Sequence, residues 1–351
     1  MPYLRAVLSL LVVSALALHA RSAAACSVCL AGDPSFSTHG TSSQEAGSVA
    51  VYLEVREFSK QSGRNEPVHE EAEHDHEAID GEADPEATAE PAPAEDGGHA
   101  HEHAGREAHD TQRLDLYVAW TPLDRVTLTL DVPWTANDIA EVAPDATTHF
   151  ALAGLGDVSL AVSGVVWRNR PALPSTWVEL RAFGKAPTGR DEQHVDGELD
   201  AHLQTGTGSW DFGFGAAAVH RLEWGALYAS SFYRVNTEGA LDYEYGDVVL
   251  ATLGLEAPLG HMVGRPALDR VTPGLALDFR WADRDRQHGD VEDTGGSILY
   301  VTPSLRIALP AFSETQRAWL RTGVQIPVTD AWLYDRQDES PVWSVGIGYG
   351  F

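Results

Sequence analysis

Apolar and polar residues alternate with a period of two along most of the chain after Thr111. In the segment RVTLTLDVPW, one face carries only the apolar side chains of Val126, Leu128, Leu130 and Val132. Successive side chains of a β-strand point to opposite sides, whereas an amphipathic helix repeats its apolar residues every three or four positions. The alternation therefore predicts an all-β protein.

Twelve segments follow this pattern, and they are long for strands of a globular protein. We predict strands at about 48–58, 112–120, 125–134, 156–168, 175–186, 204–219, 223–235, 246–257, 270–282, 297–309, 316–327 and 341–351. Strands of globular proteins usually have about five or six residues, and a tilted strand needs about nine to eleven to cross a bilayer. The predicted strands are long enough to cross.

The connections between the predicted strands alternate between short and long. TPLD, RNRPALP, HRLE and PAFSETQ are short, and between them lie long polar stretches at 59–111, 135–155, 187–203, 283–296 and 328–340. Short turns at one rim and long loops at the other are typical of outer-membrane barrels.

The polar face of the strands decides between a soluble and a membrane barrel. A soluble sandwich or barrel would leave either this charged face or the Leu/Val face in the wrong environment. In a membrane barrel lipid covers the apolar face, and the polar face lines a wet lumen, with aromatic girdles near the strand ends. We therefore predict an antiparallel up-and-down transmembrane β-barrel of about 12 strands. The expected girdle residues are Trp120, Trp134, Trp167, Trp177, Trp281 and Trp343.

The predicted lumen residues are the charged members of the polar face. They are Glu54, Arg56, Arg113, Asp115, Arg125, Asp131, Glu179, Arg181, Asp278, Arg280, Arg306 and Arg321. These charges either line an open passage or pair with one another and fill the lumen, because a narrow barrel can be filled by its side chains.

The N-terminus has the organisation of a secretory signal peptide over residues 1–25. Arg5 precedes the apolar run 6–18, and small residues follow at 22–25. The run is shorter than the roughly 18 apolar residues of a transmembrane helix. We expect export to the outer membrane of a Gram-negative bacterium, where lipid surrounds the barrel. The last strand, which ends in Phe351, resembles the signal that engages the outer-membrane assembly machinery.

The chain carries 24 Lys and Arg against 52 Asp and Glu, so its net charge is -28. This excess of acid argues against nucleic acid as a partner, because nucleic acid attracts basic patches. About half of the excess lies at 59–111, a segment with little apolar content that cannot fold alone. We expect it to be a disordered extracellular loop between the first two strands.

Seven histidines stand among the acids of this expected loop. Imidazoles two residues apart can reach one ion, and carboxylates add charge, which suits Zn²⁺, Ni²⁺ or Cu²⁺. The candidate ligands are His69, His74, Asp75, His76, His99, His101, Glu102, His103 and His109. The alternative is a solvated anionic brush in which histidine has no special role.

The chain has two cysteines, Cys26 and Cys29, in a segment at 26–46 that we expect in the periplasm ahead of the barrel at 47–351. Position 30 is Leu, so the motif lacks the histidine of a haem-attachment site. A local disulfide, a thiolate metal site and lipidation of Cys26 remain open.

No hydrolase, P-loop or dinucleotide-binding motif occurs in the sequence. An outer-membrane phospholipase also has twelve strands, but its Ser and His should lie on the lipid-facing side of neighbouring strands. We find no such pair, and therefore predict that the protein is not an enzyme.

Three short glycine-rich segments follow one another in a suggestive order. They are GLGDV at 154–158, KAPTG at 185–189 and TGTGSWD at 205–211. This series resembles the outer-membrane transporter-like family named for the MetA pathway of phenol degradation. The resemblance implies a porin-type barrel that passes small, often aromatic compounds. The His-rich loop and the CSVC start depart from the family and favour metal ions.

The expected function is therefore a channel or transporter for small solutes, either metal ions or small aromatic compounds. The alternative is a surface metal-binding protein whose barrel mainly anchors the His-rich loop.

Overall fold

The computed structural model describes residues 46–62, 106–142, 147–171, 174–197, 199–292, 294–310, 317–333 and 338–351. The strands are β1 (Val49–Ser62), β2 (Arg106–Leu123), β3 (Val126–Val142), β4 (Thr147–Leu155), β5 (Ser159–Arg168), β6 (Thr176–Lys185), β7 (Asp211–Leu222), β8 (Gly225–Val235), β9 (Tyr243–Glu244), β10 (Val248–Glu256), β11 (Val271–Ala282), β12 (Arg286–Gln287), β13 (Asp290–Val291), β14 (Gly296–Leu309), β15 (Arg317–Leu333), β16 (Asp338–Glu339) and β17 (Val342–Gly350). One short helix, α1 (Leu259–Val263), lies between β10 and β11. None of the helices in the described ranges is long and apolar enough to cross a bilayer.

The long strands pair with their neighbours in chain order and close into a barrel. β1 pairs antiparallel with β2 on one side and with β17 on the other. β4 and β5 share one position in the wall, because β3 pairs with β5 near its start and with β4 near its end. Twelve strand positions result, which confirms the predicted all-β, up-and-down barrel.

The alternation of the sequence separates an outward face from an inward face. In β1, Leu53 and Val55 are 39% and 52% exposed, whereas Glu54 and Arg56 are 4% and 2% exposed. The same contrast recurs around the wall, so large apolar side chains face out and charged ones face in. We call the exposed outward residues the apolar belt; it includes Leu53, Val55, Leu116, Leu130, Leu160, Val162, Leu180, Leu253, Leu277 and Ile347.

The wall is taller at β1–β4 than the sequence predicted. The expected loop at 135–155 is wrong, because β3 continues to Val142 and β4 begins at Thr147. The predicted boundaries of the loop at 59–111 are also wrong, because residues 59–62 belong to β1 and residues 106–111 belong to β2. Apart from Leu155 at the end of β4, most outward positions on these extensions are polar or small, so the apolar periodicity weakens while the strand pairing continues.

Three further predicted strands differ from the structure. One of them, expected at 316–327, continues to Leu333 in β15 and shortens the connection expected at 328–340. The segment expected at 204–219 forms a strand only from Asp211, because residues 204–210 belong to the long connection after β6. The strand expected at 156–168 starts at Ser159, after a break in the wall at 156–158. Trp177, expected in an outer girdle, is 3% exposed and faces inward beside Val219 and Tyr228.

Several inward aromatic rings lie flat across glycines of a neighbouring strand. The Tyr52 ring covers Gly346, the Trp319 ring covers Gly348, and a methyl group at either glycine would overlap the ring. Tyr228 covers Gly254 in the same way. Large and small residues therefore alternate on facing strands of the inner surface, as in other small barrels.

Candidate functional site in the barrel interior

One side of the interior carries a chain of ion pairs along β1, β2 and β3. Asp115 is fully buried and lies between two arginines, with Arg56 Nη2 at 2.6 Å and Arg113 Nε at 2.6 Å from its carboxylate oxygens. Arg113 Nη2 continues the chain to Asp131 Oδ2 at 3.3 Å. Each carboxylate of this chain has a cation beside it, which offsets the cost of its burial.

The opposite side of the interior is also internally paired. Asp278 accepts hydrogen bonds from Thr252 Oγ1 at 2.6 Å and Gln325 Nε2 at 3.4 Å. Arg280 forms an ion pair with Glu339, and Tyr300 donates a hydrogen bond to the same carboxylate. Glu339 lies in β16, so this pair joins the barrel wall to the connection between β15 and β17.

Eleven of the twelve predicted lumen residues lie on the inward face. Glu54, Arg56, Asp115, Asp131, Glu179, Arg181 and Arg280 are buried. Arg113, Asp278, Arg306 and Arg321 are partly buried. Arg125 differs, because it lies in the turn between β2 and β3 with φ 78° and a side chain that is 42% exposed. Arg125 therefore belongs to the rim.

The three glycine-rich segments meet at the break between β4 and β5, where Asp157 joins them. Its Oδ1 accepts hydrogen bonds from the backbone N–H groups of Thr188 and Gly189, at 3.0 and 2.9 Å. Its Oδ2 accepts from the N–H of Thr207 at 2.9 Å and from Lys185 Nζ at 2.9 Å. One carboxylate thus ties together the segments that resembled a family pattern.

Lys185 extends this cluster to the next strands. Its Nζ lies 2.8 Å from Asp211 Oδ2, and Arg234 pairs with the same carboxylate. We call Asp157, Lys185, Asp211 and Arg234 the wall network. It was missed as a charge cluster because its members are distant in sequence, although three of them stand inside the glycine-rich segments and so carried a signal.

Two glycines of these segments are required by close backbone contact. A Cβ on Gly189 would lie 2.6 Å from the Cα of Gly206, and a Cβ on Gly206 would lie 2.7 Å from the Cα of Gly189. Neither position has room for a side chain, which gives these two glycines an architectural role.

The connection between β6 and β7 folds against the inner side of the tall wall. Leu203 is fully buried, and Asn137 Nδ2 donates to the carbonyls of Leu203 and Gln204 at 3.2 and 2.9 Å. Tyr245 donates from its hydroxyl to Ala201 O at 3.0 Å. This connection therefore occupies part of the mouth at the rim opposite the chain termini.

A cluster of rings surrounds His202 in this connection. His202 Nε2 lies 3.2 Å from the Tyr243 hydroxyl, which donates to Asp285 Oδ2 at 2.9 Å. The His109 ring is 5.8 Å from the His202 ring. His109, expected in the loop, is thus a buried residue of β2 that faces the mouth.

The other expected metal ligands lie outside the described residues. They are His69, His74, Asp75, His76, His99, His101, Glu102, His103, Cys26 and Cys29. Within the ranges that the structure describes, no group of three or more His, Cys, Asp or Glu is placed to hold a metal ion. Metal binding by the loop therefore stays a prediction.

No protein-family model matches the sequence, and no curated protein matches it. Among solved structures, the chain is similar to an outer membrane channel from Pseudomonas putida F1, at a TM-score of 0.53 and 14% identity over 88% of this chain and 97% of that one. A weaker likeness, at a TM-score of 0.42 and 11% identity, joins 90% of this chain to 91% of the translocator domain of an autotransporter from Neisseria meningitidis. The first likeness supports an outer-membrane type of barrel fold.

Proposed function

We propose that the protein is a channel that passes small solutes across the outer membrane of a Gram-negative bacterium. The observation that supports this proposal is that the barrel is apolar on its outer surface, where the apolar belt lies, and charged inside, where ion pairs form; a soluble protein has the opposite arrangement. A soluble barrel would leave the belt in water, whereas a bilayer covers it, and the inner charges are compensated by their pairing with one another.

Arg321 is the best candidate for control of what passes. It projects inward from β15, is partly buried, and lies within electrostatic reach of Glu54 on one side and Tyr228 on another part of the wall. The Tyr52 ring nearby stacks with Tyr117 at 6.1 Å and with Trp319 at 6.4 Å between ring centroids. A cation beside flat rings suits a small solute that has an aromatic part and a polar group.

Planar-bilayer conductance of the full chain tests the channel. We expect discrete current steps, and we expect Arg321→Gln to shift the reversal potential in a salt gradient towards cation selectivity, because it removes a positive charge from the passage. Arg125→Gln is the matched control, since Arg125 is exposed in the rim turn and its removal should leave the reversal potential unchanged.

A folded barrel that gives neither current nor solute uptake by liposomes would overturn the channel. An equal shift from Arg125→Gln and Arg321→Gln would remove Arg321 from its proposed role. Recognition of the last strand by the assembly machinery remains a prediction, as does metal capture by the 63–105 segment. The latter is tested by calorimetric titration with Zn²⁺, Ni²⁺ and Cu²⁺.

A further inference from the structure

Lys60 is a buried cation whose ammonium group has no hydrogen-bond acceptor. It faces inward near the end of β1, and the residue is 4% exposed. Its Nζ is inaccessible to water and makes no hydrogen bond to the described part of the chain. Glu339 lies within electrostatic reach of Lys60 but accepts no hydrogen bond from it. A buried ammonium without hydrogen bonds is unfavourable, so this one calls for an acceptor.

Two histidines share the space around Lys60. His109 is the cross-strand partner of Lys60 in β2, and such partners place their Cβ atoms about 5 Å apart on the same face. The His202 ring lies 5.8 Å from the His109 ring, on the connection that folds into the mouth. His202 Nδ1 is also buried without a hydrogen bond in the described structure. Nitrogen-bearing side chains from β1, β2 and the β6–β7 connection therefore converge.

The nearest acids already have partners. Glu339 is the cross-strand partner of Lys60 on its other side, but its two carboxylate oxygens take hydrogen bonds from Arg280 and Tyr300. Asp285 accepts from the Tyr243 hydroxyl and from the backbone N–H of Gly246. Lys60 and Arg280 balance Glu339 and Asp285 in charge, but the hydrogen bonds of both acids are made to other groups, so neither accepts from the Lys60 ammonium.

We propose that Lys60, His109 and His202 form a binding site for a small oxyanion at the mouth of the barrel. An ammonium donates up to three hydrogen bonds, which suits the oxygens of a carboxylate or a phosphate, and the rings of His109 and His202 line the same space. The ammonium repels cations, so the proposed site favours an anion over a metal ion. The inference rests on the proposed channel, because the oxyanion is the charged end of an entering solute or a free inorganic ion.

Calorimetry of the full chain, folded in detergent, tests the site with two separate probes at constant low chloride. One probe is sodium acetate, which stands for the carboxylate end of a solute, and the other is sodium phosphate. We expect saturable binding of at least one probe, and Lys60→Met should weaken it about ten- to hundredfold through loss of a charge-assisted hydrogen bond. Lys60→Arg keeps the charge and should retain most of the affinity.

His261→Ala is the control, because His261 lies on α1 with a side chain that is 58% exposed. Acetate binding alone assigns carboxylate solutes, and phosphate binding alone assigns a free oxyanion. Absence of binding by both probes, or equal binding by wild type and Lys60→Met, would overturn the site. The measurement needs no current, so its failure is distinguishable from failure of the channel.

A second readout covers the case in which the mutant folds differently. In buffer without the probe, Lys60→Met should raise the unfolding temperature because it removes an unpaired buried charge. The bound probe should raise the unfolding temperature of the wild type and leave that of Lys60→Met unchanged. A lower unfolding temperature of Lys60→Met in probe-free buffer would contradict the proposal.

Discussion

Two buried lysines of the inner wall differ in what surrounds them. Lys185 is 6% exposed and Lys60 is 4% exposed, so water reaches neither of them readily. Lys185 lies within 2.9 Å of Asp157 and 2.8 Å of Asp211, whereas the Lys60 ammonium has no acceptor among the described residues. The two lysines are therefore equally buried, but Lys185 has carboxylate partners and Lys60 has no hydrogen-bond acceptor among the described residues.

The difference separates a structural site from a binding site. The wall network satisfies its own charges and fastens the β6–β7 connection to the break between β4 and β5. At the Lys60 cluster, Glu339 and Asp285 accept hydrogen bonds from other groups, whereas the Lys60 ammonium has no acceptor among the described residues. Buried charges that are paired and hydrogen-bonded within the protein stabilise its fold, and the missing hydrogen-bond acceptor at Lys60 is the basis of the proposed ligand site.

The largest expected effect comes from removal of Lys185. Lys185→Met leaves Asp157 without its cation and Asp211 with Arg234 alone, and should lower the free energy of unfolding by about 3–5 kcal/mol. Urea unfolding in detergent, followed by electrophoretic mobility with and without heating, measures this loss.

The matched control for Lys185→Met is Asp124→Ala. Asp124 pairs with Arg168 at 3.2 Å but its side chain is 65% exposed, so the loss should be below about 1 kcal/mol. If both variants lose the same stability, the wall network has no special structural role.

A smaller effect tests whether the wall network also depends on close packing. Gly189→Ala places a methyl group against the backbone of Gly206 and should lower the free energy of unfolding by about 1–3 kcal/mol. Gly164→Ala is the control, because its Cβ would meet only the Arg125 carbonyl at 3.9 Å. We expect that variant to unfold at the same urea concentration as the wild type, and a shift as large as that of Gly189→Ala would refute the packing argument.

The smallest expected effect concerns acid pH at the Lys60 end of the barrel. Glu339 lies in β16, where the outward residues of the paired end of β1 are polar and the apolar belt has ended. Burial alone would raise the pKa of Glu339, but the Arg280 guanidinium and its hydrogen bonds hold this pKa below its ordinary value.

Because the folded-state pKa of Glu339 is depressed, its stabilising contribution is fully present above the ordinary glutamate pKa of about 4.3. The contribution is lost as the pH falls through the depressed value. Unfolding midpoints between neutral and strongly acidic pH should therefore decline more in the wild type than in Glu339→Gln. Parallel curves for the two proteins would show that the ion pair does not contribute.

The strands could be predicted from the sequence wherever their outward residues belong to the apolar belt. Segments such as 125–134 and 270–282 were found because both faces carry a consistent residue type. The sequence could not predict 135–142 or 147–155 as strands, because Asp138 and His149 point outward there. Their backbone pairing continues although, apart from Leu155, few large apolar residues face outward, so the alternation of apolar and polar residues does not reveal these strands.

The candidate sites were less accessible to sequence reasoning than the strands. The inward charges were predicted from the alternation, but Arg125 was misplaced because β3 begins one residue later than predicted, at Val126, and Arg125 belongs to the turn. Lys60 stands at the edge of an acidic segment and would be taken for a solvated base. Only the register that pairs it with His109, and the fold of the connection that brings His202, reveal the three together.

The rings that lie across Gly254, Gly346 and Gly348 have a consequence for the width of the barrel interior. Each ring occupies the space that the side chain of a larger residue would fill at the neighbouring glycine. The ring can therefore lie against the wall and project less into the interior. One added carbon at such a glycine would overlap the ring, so the ring would have to move. The width of the interior could therefore be changed in steps of one methyl group, without any change in the charges that line it.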